Sequence, residues 1–280
     1  MADHLAPAGV GVARAALTAA AARFGFSETP RLDAELLLAH ALGISRERLL
    51  LTLGDQPVPA TFADLVARRE RHEPIAYLTG SRAFWTIDLD VGPGVLIPRP
   101  DSETLIEAAI DHFGAGPGPG TILDLGTGSG ALLLAALDQW PGASGVGIDA
   151  SPQALAIARR NAERIAPGRA EIRLGDWAGT GAAFDLILCN PPYVATGEAV
   201  PDEVARWEPQ SALYAGRDGL DDYRAIAPLL ASQIAPGGVA CVEIGASQGQ
   251  SAAALFMAAG LNVTVRRDLG GRDRCLVVTS

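Results

Sequence analysis

From residue 121 onward the chain alternates short apolar runs with amphipathic stretches, and no other feature limits its fold so tightly. Strands are expected over 121–125, 145–149, 170–174, 184–189 and 239–244. Helices are expected between them, over 129–139, 152–165, about 221–235 and 248–259. Alternation of this kind builds a parallel-based sheet with helices on both faces. Two closing strands, 262–266 and 275–279, are joined by a tight connection and are expected to form an antiparallel edge. A long loop is expected over roughly 190–219.

The earlier part of the chain follows other periods. Residues 10–75 read as short amphipathic helices. Leu32, Leu36, Leu37 and Leu38 recur after Pro30, Ser45 is a candidate N-cap for the run from Arg46, and Thr61 is one for the run holding Phe62, Leu65 and Val66. From 82 the period falls to two. Phe84, Ile87, Leu89 and Val91, then Val95 and Ile97, with Gly92-Pro93-Gly94 between them, suggest a β-hairpin that ends at Pro98-Arg99-Pro100. Asp101 or Ser102 is expected to cap the next helix. Only Gly, Ala and Pro fill 114–120, a flexible joint. The expected organisation is a helical domain over 1–80, a hairpin linker over 81–100 and an α/β domain over 101–280.

Charge narrows the range of partners. All 22 basic residues are arginine, against 32 acids, for a formal net charge of −10. The first 80 residues carry 8 arginines and 9 acids, so nearly all the excess falls on the remainder. Such a body is a poor partner for phosphate backbones, which argues against a nucleic-acid substrate while leaving room for a local basic patch. Cys189, Cys241 and Cys275 sit in apolar runs without metal or disulfide spacing, and the four histidines are scattered, so no metal is expected. The N-terminus lacks a signal pattern, and no apolar run approaches the ~20 residues of a membrane span. A cytoplasmic protein is expected. No motif speaks for an oligomer, and a monomer is expected.

Two motifs carry chemistry. The first is the glycine turn Asp124-Leu125-Gly126-Thr127-Gly128-Ser129-Gly130 between an expected strand and helix, where backbone N–H groups can approach a ligand closely. Its glycines are spaced G-x-G-x-G, unlike the dinucleotide pattern G-x-G-x-x-G. That favours S-adenosylmethionine, which has no pyrophosphate. Asp124 is placed to meet the amino end of such a cofactor. Asp149, closing the second strand, is placed to accept from the ribose hydroxyls, with helix capping as its alternative role. Trp177 and Asp176 end the third strand on the same edge, fit for an adenine ring and its exocyclic amine, although Trp177 also suits simple core filling.

The second motif is Asn190-Pro191-Pro192-Tyr193, directly after the strand over 184–189. An amide nitrogen is a poor nucleophile because its lone pair is delocalised. The Asn190 side-chain oxygen and the Pro191 carbonyl can each accept one hydrogen of an NH2 group, holding it and stabilising the positive charge that develops on it. Pro191 and Pro192 make the turn rigid, and Tyr193 offers a face to a planar amide or base.

With these residues the sequence resembles class I methyltransferases that modify NH2 groups. Further motifs resemble, more narrowly, the protein-glutamine methyltransferases of peptide-chain release factors. They are Pro74-Ile75-Ala76-Tyr77-Leu78-Thr79-Gly80, Phe84-Trp85, Leu96-Ile97-Pro98-Arg99-Pro100-Asp101-Ser102-Glu103, Trp207-Glu208-Pro209, and Ala212-Leu213 with Asp218-Gly219-Leu220. The similarity spans almost the whole chain. Ser102 departs from the usual threonine but keeps the hydroxyl, and Ala83 stands where a charge is common. The resemblance implies a Rossmann-like, seven-stranded, mostly parallel sheet with a small helical N-terminal domain. It implies S-adenosylmethionine bound by Gly126, Thr127, Gly128, Ser129, Gly130, Asp149, Trp177 and Asn190. The substrate it implies is the glutamine of the Gly-Gly-Gln loop, held by residues 190–193 with Phe84 as a pocket wall, while the 98–103 segment covers the cofactor and the N-terminal helices bind the release-factor body. Two rivals remain. One is a nucleic-acid methyltransferase acting on adenine or guanine amines, with Tyr193 stacking a flipped base. It calls for a basic groove, where this chain offers only the pairs Arg68-Arg69, Arg159-Arg160 and Arg266-Arg267. The other is a non-catalytic docking protein, which the intact Asn190 and Asp149 disfavour.

Overall fold

A computed structural model describes residues 12–54 and 56–280. The expected helical domain therefore has its first 11 residues and Asp55 outside the described residues. The chain divides into two compact units, one ending at Gly80 and the other running Ser81–Ser280.

The first unit contains α1 (Val12–Arg23), α2 (Pro30–Leu42), α3 (Arg46–Leu51), α4 (Thr61–Glu70) and α5 (Ile75–Thr79). Pro30 occupies the first turn of α2, where its missing N–H costs nothing. Ser45 caps α3 by accepting from Arg48 N–H (3.2 Å). Thr61 does not cap α4. It is the first helical residue, and Phe62 N–H finds Pro59 O (3.0 Å) in the preceding turn instead. Leu17, Phe24, Leu37, Leu38 and Leu49 form the core. Inside this shell lies a buried ion pair. Arg69 Nε donates to Asp33 Oδ2 (2.9 Å), Arg69 Nη1 donates to Glu73 O (3.0 Å), and the guanidinium lies 5.0 Å from the Phe26 ring centroid. Removing one partner of such a pair leaves an uncompensated buried charge.

The second unit opens with a hairpin of β1 (Ser81–Phe84) and β2 (Ile87–Asp90), in register from Ser81 opposite Asp90 to Phe84 opposite Ile87. Its turn is therefore Trp85-Thr86, with Trp85 at φ +54°, and not the expected Gly92-Pro93-Gly94. The glycine-proline stretch forms a separate turn, Val95 N–H reaching Gly92 O (3.4 Å). No strand follows it. Pro98 and Pro100 have no N–H to donate, and Ile97 N–H goes to the Glu208 carboxylate. Nor is the hairpin a free linker. Asp90 N–H donates to Asn161 Oδ1 (2.8 Å) and Asn161 Nδ2 donates back to Asp90 O (2.9 Å), so the hairpin belongs to the larger unit. A 3-10 turn over Pro100–Ser102 leads into α6 (Glu103–Phe113), where neither Asp101 nor Ser102 caps the helix through its side chain.

The main sheet then forms from β3 (Thr121–Leu125), α7 (Ala131–Gln139), β4 (Ser144–Asp149), α8 (Pro152–Ile165), β5 (Ala170–Leu174), β6 (Phe184–Cys189), α9 (Asp202–Trp207), α10 (Asp221–Leu230), β7 (Ile234–Glu243), α11 (Gly249–Ala258), β8 (Asn262–Arg267) and β9 (Asp273–Thr279). The strand order is β5-β4-β3-β6-β7-β9-β8, parallel from β5 to β7, with β9 antiparallel to both β7 and β8. The expected long loop carries α9, a 3-10 turn over Gln210–Ala212 and a single bridge between Val194 and Tyr214. The three cysteines are free and buried. The order reverses between β3 and β6, whose last residues, Leu125 and Cys189, are partners across the sheet. That is the topological switch point at which open α/β sheets form their ligand crevice.

Substituting Arg69→Met should cost about 3–5 kcal/mol of stability, since it strands the Asp33 charge. The double variant D33N/R69M should recover much of that loss. Urea unfolding of the three proteins checks both expectations.

Candidate functional site

At the switch point lies a cavity of about 500 Å³. Three stretches that are distant in sequence make its walls. Gly126, Thr127, Gly128 and Ser129 leave β3, Asp149 closes β4, and Asn190 and Pro192 follow β6. Phe84 at the end of β1 and the segment holding Val95, Leu96, Pro98 and Ser102 face them.

The glycine turn depends on positive φ at Gly126 (+72°), Gly128 (+57°) and Gly130 (+87°). Gly126 and Thr127 N–H both donate to Ile148 O (2.9 Å each), tying the turn to the end of β4. A Cβ on Gly126 would lie 3.2 Å from the Trp177 ring, so the ring can cover the turn only because no side chain is there. Gly130 does not line the cavity. It starts α7 in the left-handed conformation, and a Cβ there would meet the Leu134 side chain at 3.0 Å.

Two acids serve the turn differently. Asp149 Oδ2 accepts from Gly128 N–H (2.8 Å) and Oδ1 from Ser151 N–H (2.8 Å), while the Ser151 hydroxyl caps α8. Asp149 therefore braces the loop and still has lone pairs for a ligand, since an ionised carboxylate has about four acceptor sites. Asp124 is fully buried. Its Oδ2 accepts from Thr127 Oγ1 and Leu133 N–H, but its Oδ1 has no partner in the chain. Burial pushes its carboxyl up to about 7, with Thr127 and Leu133 opposing. A buried acceptor without a partner, facing a cavity, fits a cationic ligand group.

Trp177 lies in the cavity wall, its indole N–H donating to Asp222 Oδ1 (3.0 Å). Asp176 is exposed at the rim, its Oδ1 accepting from Ala178 N–H. Asn190 Nδ2 donates to Ser102 Oγ (3.3 Å), which leaves its Oδ1 as the acceptor available to the cavity. Pro191 and Tyr193 are not part of the cavity wall. Pro191 is buried, and Tyr193 packs against the inner core with its hydroxyl 3.5 Å from Glu243 Oε1. The expected stacking face is thus turned inward, with the ring packed on the core and its hydroxyl directed at a buried acid.

Several site residues had no assigned role in the sequence. Glu208 is buried and its carboxylate accepts from Ile97 N–H (3.0 Å) and from Arg99, joining the 95–98 wall to the neighbouring Pro209, Ser211 and Ala212 wall. Glu243 is fully buried behind the Asn190 turn. The signal for Glu243 was the one read for Asp149, an acid ending an apolar strand. Among the described residues no cluster of His, Cys, Asp or Glu suits a metal ion.

Comparison with known proteins places the chain. Its residues 15–80 match the family model described as PrmC N-terminal domain, and residues 87–208 match that of the methyltransferase small domain. A release factor glutamine methyltransferase of Rhodospirillum rubrum is 45% identical over 89% of this chain and 79% of its own length. Those of Cereibacter sphaeroides (46% identity, 89% and 91% covered) and Salmonella typhimurium (40%, 89% and 91%) are similar to it as well. A methyltransferase of known structure from Pyrococcus furiosus superposes with a TM-score of 0.50 at 19% identity, covering 77% of this chain and 97% of that one, a likeness of fold. Matches at this level over nearly the full length, centred on a switch-point cavity with a G-x-G-x-G turn and an Asn-Pro-Pro-Tyr turn, show that the chain belongs to the release factor glutamine methyltransferases, with their class I methyltransferase fold.

Proposed function

We propose that this cavity binds S-adenosylmethionine along the glycine turn and presents to it the side-chain amide of the glutamine in the Gly-Gly-Gln loop of a peptide-chain release factor. As a member of its family the protein is an S-adenosylmethionine-dependent methyltransferase acting on release-factor glutamine. The observation that carries the site assignment is the meeting of Asn190 with residues 126–129 in one cavity.

In this reading the partnerless Asp124 Oδ1 takes the cofactor's ammonium, Asp149 takes ribose hydroxyls with its remaining lone pairs, and Trp177 packs on the adenine. When bound there, the cofactor would supply a sulfonium-activated methyl group to the lone pair of the substrate nitrogen, its sulfur keeping the electrons of the S–C bond. Asn190 Oδ1 accepts an amide hydrogen and aims the nitrogen, stabilising the charge that grows on it, while Pro191, outside the cavity wall, keeps the turn rigid. One proton then leaves the methylated nitrogen for solvent. Phe84 and Pro192 wall the amide, and Tyr193 acts from behind the turn. A release-factor substrate supports a cytoplasmic location, and we take the enzyme to act as a monomer.

The nucleic-acid reading finds little support. Among the described residues, Arg68 pairs with Glu73, Arg69 with Asp33, Arg266 with Glu107 and Asp111, and Arg267 with Asp273. Arg159 and Arg160 donate to the carbonyls of Ile172 and Ala156. These arginines are committed within the protein. No helix is long and apolar enough to cross a membrane among the described residues.

Labelled methyl transfer to a purified release factor, beside a Gly-Gly-Ala form and duplex DNA, tests the reading. Label on the intact factor alone is the expected result, and label on DNA or equally on both factor forms would overturn it. Asn190→Ala should lower kcat by ~10²-fold or more while cofactor affinity stays within a few-fold, as measured by single-turnover transfer and calorimetry.

Asp124 makes cofactor binding depend on pH. Its carboxyl sits near 7 when the cavity is free of a cation, and a cofactor ammonium favours the ionised form. Affinity should therefore rise with pH up to about 7 and level off above it, falling by up to about tenfold per pH unit below. Stability without cofactor runs the other way. The raised carboxyl contributes stability that is fully present below pH about 4 and lost as pH rises through about 7. Asp124→Asn should flatten the affinity profile and stabilise the cofactor-free protein relative to wild type at pH 8, read by calorimetric titration and thermal unfolding at pH 5 and 8.

A further inference from the structure

Behind the Asn190 turn, Ser102 and Tyr193 both neighbour one buried acid, Glu243. Asn190 Nδ2 donates to Ser102 Oγ at 3.3 Å. Tyr193 Oη lies 3.5 Å from Glu243 Oε1. Ser102 and Glu243 are almost wholly buried, at 3% and 1% exposure, and Glu243 Oε2 has no partner in the chain. Glu243 ends β7, the parallel neighbour of β6, and its register partner on β9 is Cys275. The methyl-transfer reading above uses neither Ser102 nor Glu243. An acid in the apolar body of a sheet costs several kcal/mol unless something holds it there, and its retention calls for a reason.

The direction of the hydrogen bonds supplies one. The Ser102 hydroxyl is a hydrogen-bonding neighbour of Glu243, and an ionised carboxylate can only accept, so the Ser102 proton turns toward the acid. The Ser102 lone pairs then face Asn190 and can take only its NH2 group. With its NH2 committed to Ser102, Asn190 has its Oδ1 left for the substrate NH2. The reversed amide would offer the substrate a donor against a donor. The same acid receives the Tyr193 hydroxyl, so both ends of the rigid Pro191-Pro192 pair are held from one point.

We propose that Glu243 is a positioning residue for methyl transfer, orienting the Asn190 amide through the Ser102 hydroxyl and anchoring the far end of the turn through Tyr193. The inference rests on the reading of Asn190 as the holder of the substrate amide. The charges around Glu243 agree with it. Burial pushes its carboxyl up to about 7, while hydrogen bonding from Ser102, the Arg274 charge and the Tyr193 hydroxyl pull it back toward the ionised form, and Asp101 opposes them. Arg274, itself 7% exposed, pairs with Asp101 Oδ2 (3.0 Å) and Asp268 Oδ2 (3.4 Å). Tyr223 donates to the Glu243 backbone carbonyl (3.0 Å), and burial raises the Tyr193, Tyr223, Cys189 and Cys275 groups far above neutrality, so none of them titrates there with it. Once protonated, Glu243 has a donor of its own and no longer dictates where the Ser102 proton points.

The test is steady-state methylation of a purified release factor by the full chain at saturating cofactor, for wild type, E243Q, S102A, S102T and the double variant S102A/E243Q, with N190A as reference. We expect E243Q and S102A each to lower kcat by about 10- to 100-fold, with cofactor Kd and substrate KM within about threefold, because only the aim of the amide changes. S102T should recover most of what S102A loses. The double variant should be no slower than the worse single one, since both break the same chain. Wild-type kcat should fall below pH about 7, and that limb should be absent in E243Q. Wild-type kcat in E243Q, an unchanged acidic limb, or losses that multiply in the double variant would each overturn the proposal. S102A keeps the test decisive should E243Q fail to fold, because wild-type kcat in S102A alone rejects the relay. A wild-type rate in N190A would instead sink the reading of Asn190, a separate failure.

Discussion

Because β3 and β6 run parallel and are paired at Leu125 and Cys189, the turns that leave them emerge side by side on one edge of the sheet. The chain then departs in opposite directions across the sheet, to β4 on one side and to β7 on the other. No helix can fill the gap that this reversal opens. Both strands are buried along most of their length, Leu123, Leu125, Ile187 and Cys189 among them, so sliding either by one residue would turn apolar side chains away from their packing. The hydrophobic core thereby sets the distance between the glycine turn and Asn190. Every functional argument made for the cavity inherits that register.

The site departs from good core practice at two points, and the two are related. Asp124 and Glu243 are both fully buried acids at strand ends, each with one oxygen lacking a partner and each pushed up to about 7 by burial. Asp124 faces the cavity along the glycine turn, and Glu243 lies behind the Asn190 turn. Such groups persist only where the surrounding fold offsets their desolvation. Here the offset comes from a sheet covered on both faces, with Tyr223, Phe256 and Leu230 packed around its β7 side. The same low-dielectric surroundings that make the acids costly also strengthen their hydrogen bonds to whatever does reach them.

Sequence and structure part at places with a common cause. Thr61 and Ser102 are residue types suited to capping, yet α4 takes its first bond from the preceding turn and Ser102 turns to Asn190. Gly92-Pro93-Gly94 is a strong turn signal, yet the hairpin closes at Trp85-Thr86, where a bulky residue stands at φ +54° and its N–H is taken by Glu103 Oε1 (2.9 Å). Tyr193 had the composition of a stacking platform and is used from the other side. In each case a partner more than about ten residues away, or the geometry of the preceding turn, outweighed a local preference of at most ~1–2 kcal/mol. Glu208 shows the same from the opposite direction. Nothing in Trp207-Glu208-Pro209 says that its carboxylate closes the chain between Ile97 and Arg99 across 109–111 positions.

What the sequence determined by itself was whatever repeats locally or permits only one backbone. The period of apolar residues decided strands and helices, the alternation decided a mainly parallel sheet, and the glycines at 126, 128 and 130 together with Pro191-Pro192 decided two turns that few other residues could form. Tertiary structure alone decided which way side chains face and which buried groups meet. Asn190 reaches Ser102 across 88 positions and Tyr193 reaches Glu243 across 50. The physical reason is that hydrophobic periodicity is a property of neighbours in the chain, whereas a buried hydrogen bond is chosen by whatever polar atom the packed core leaves within reach.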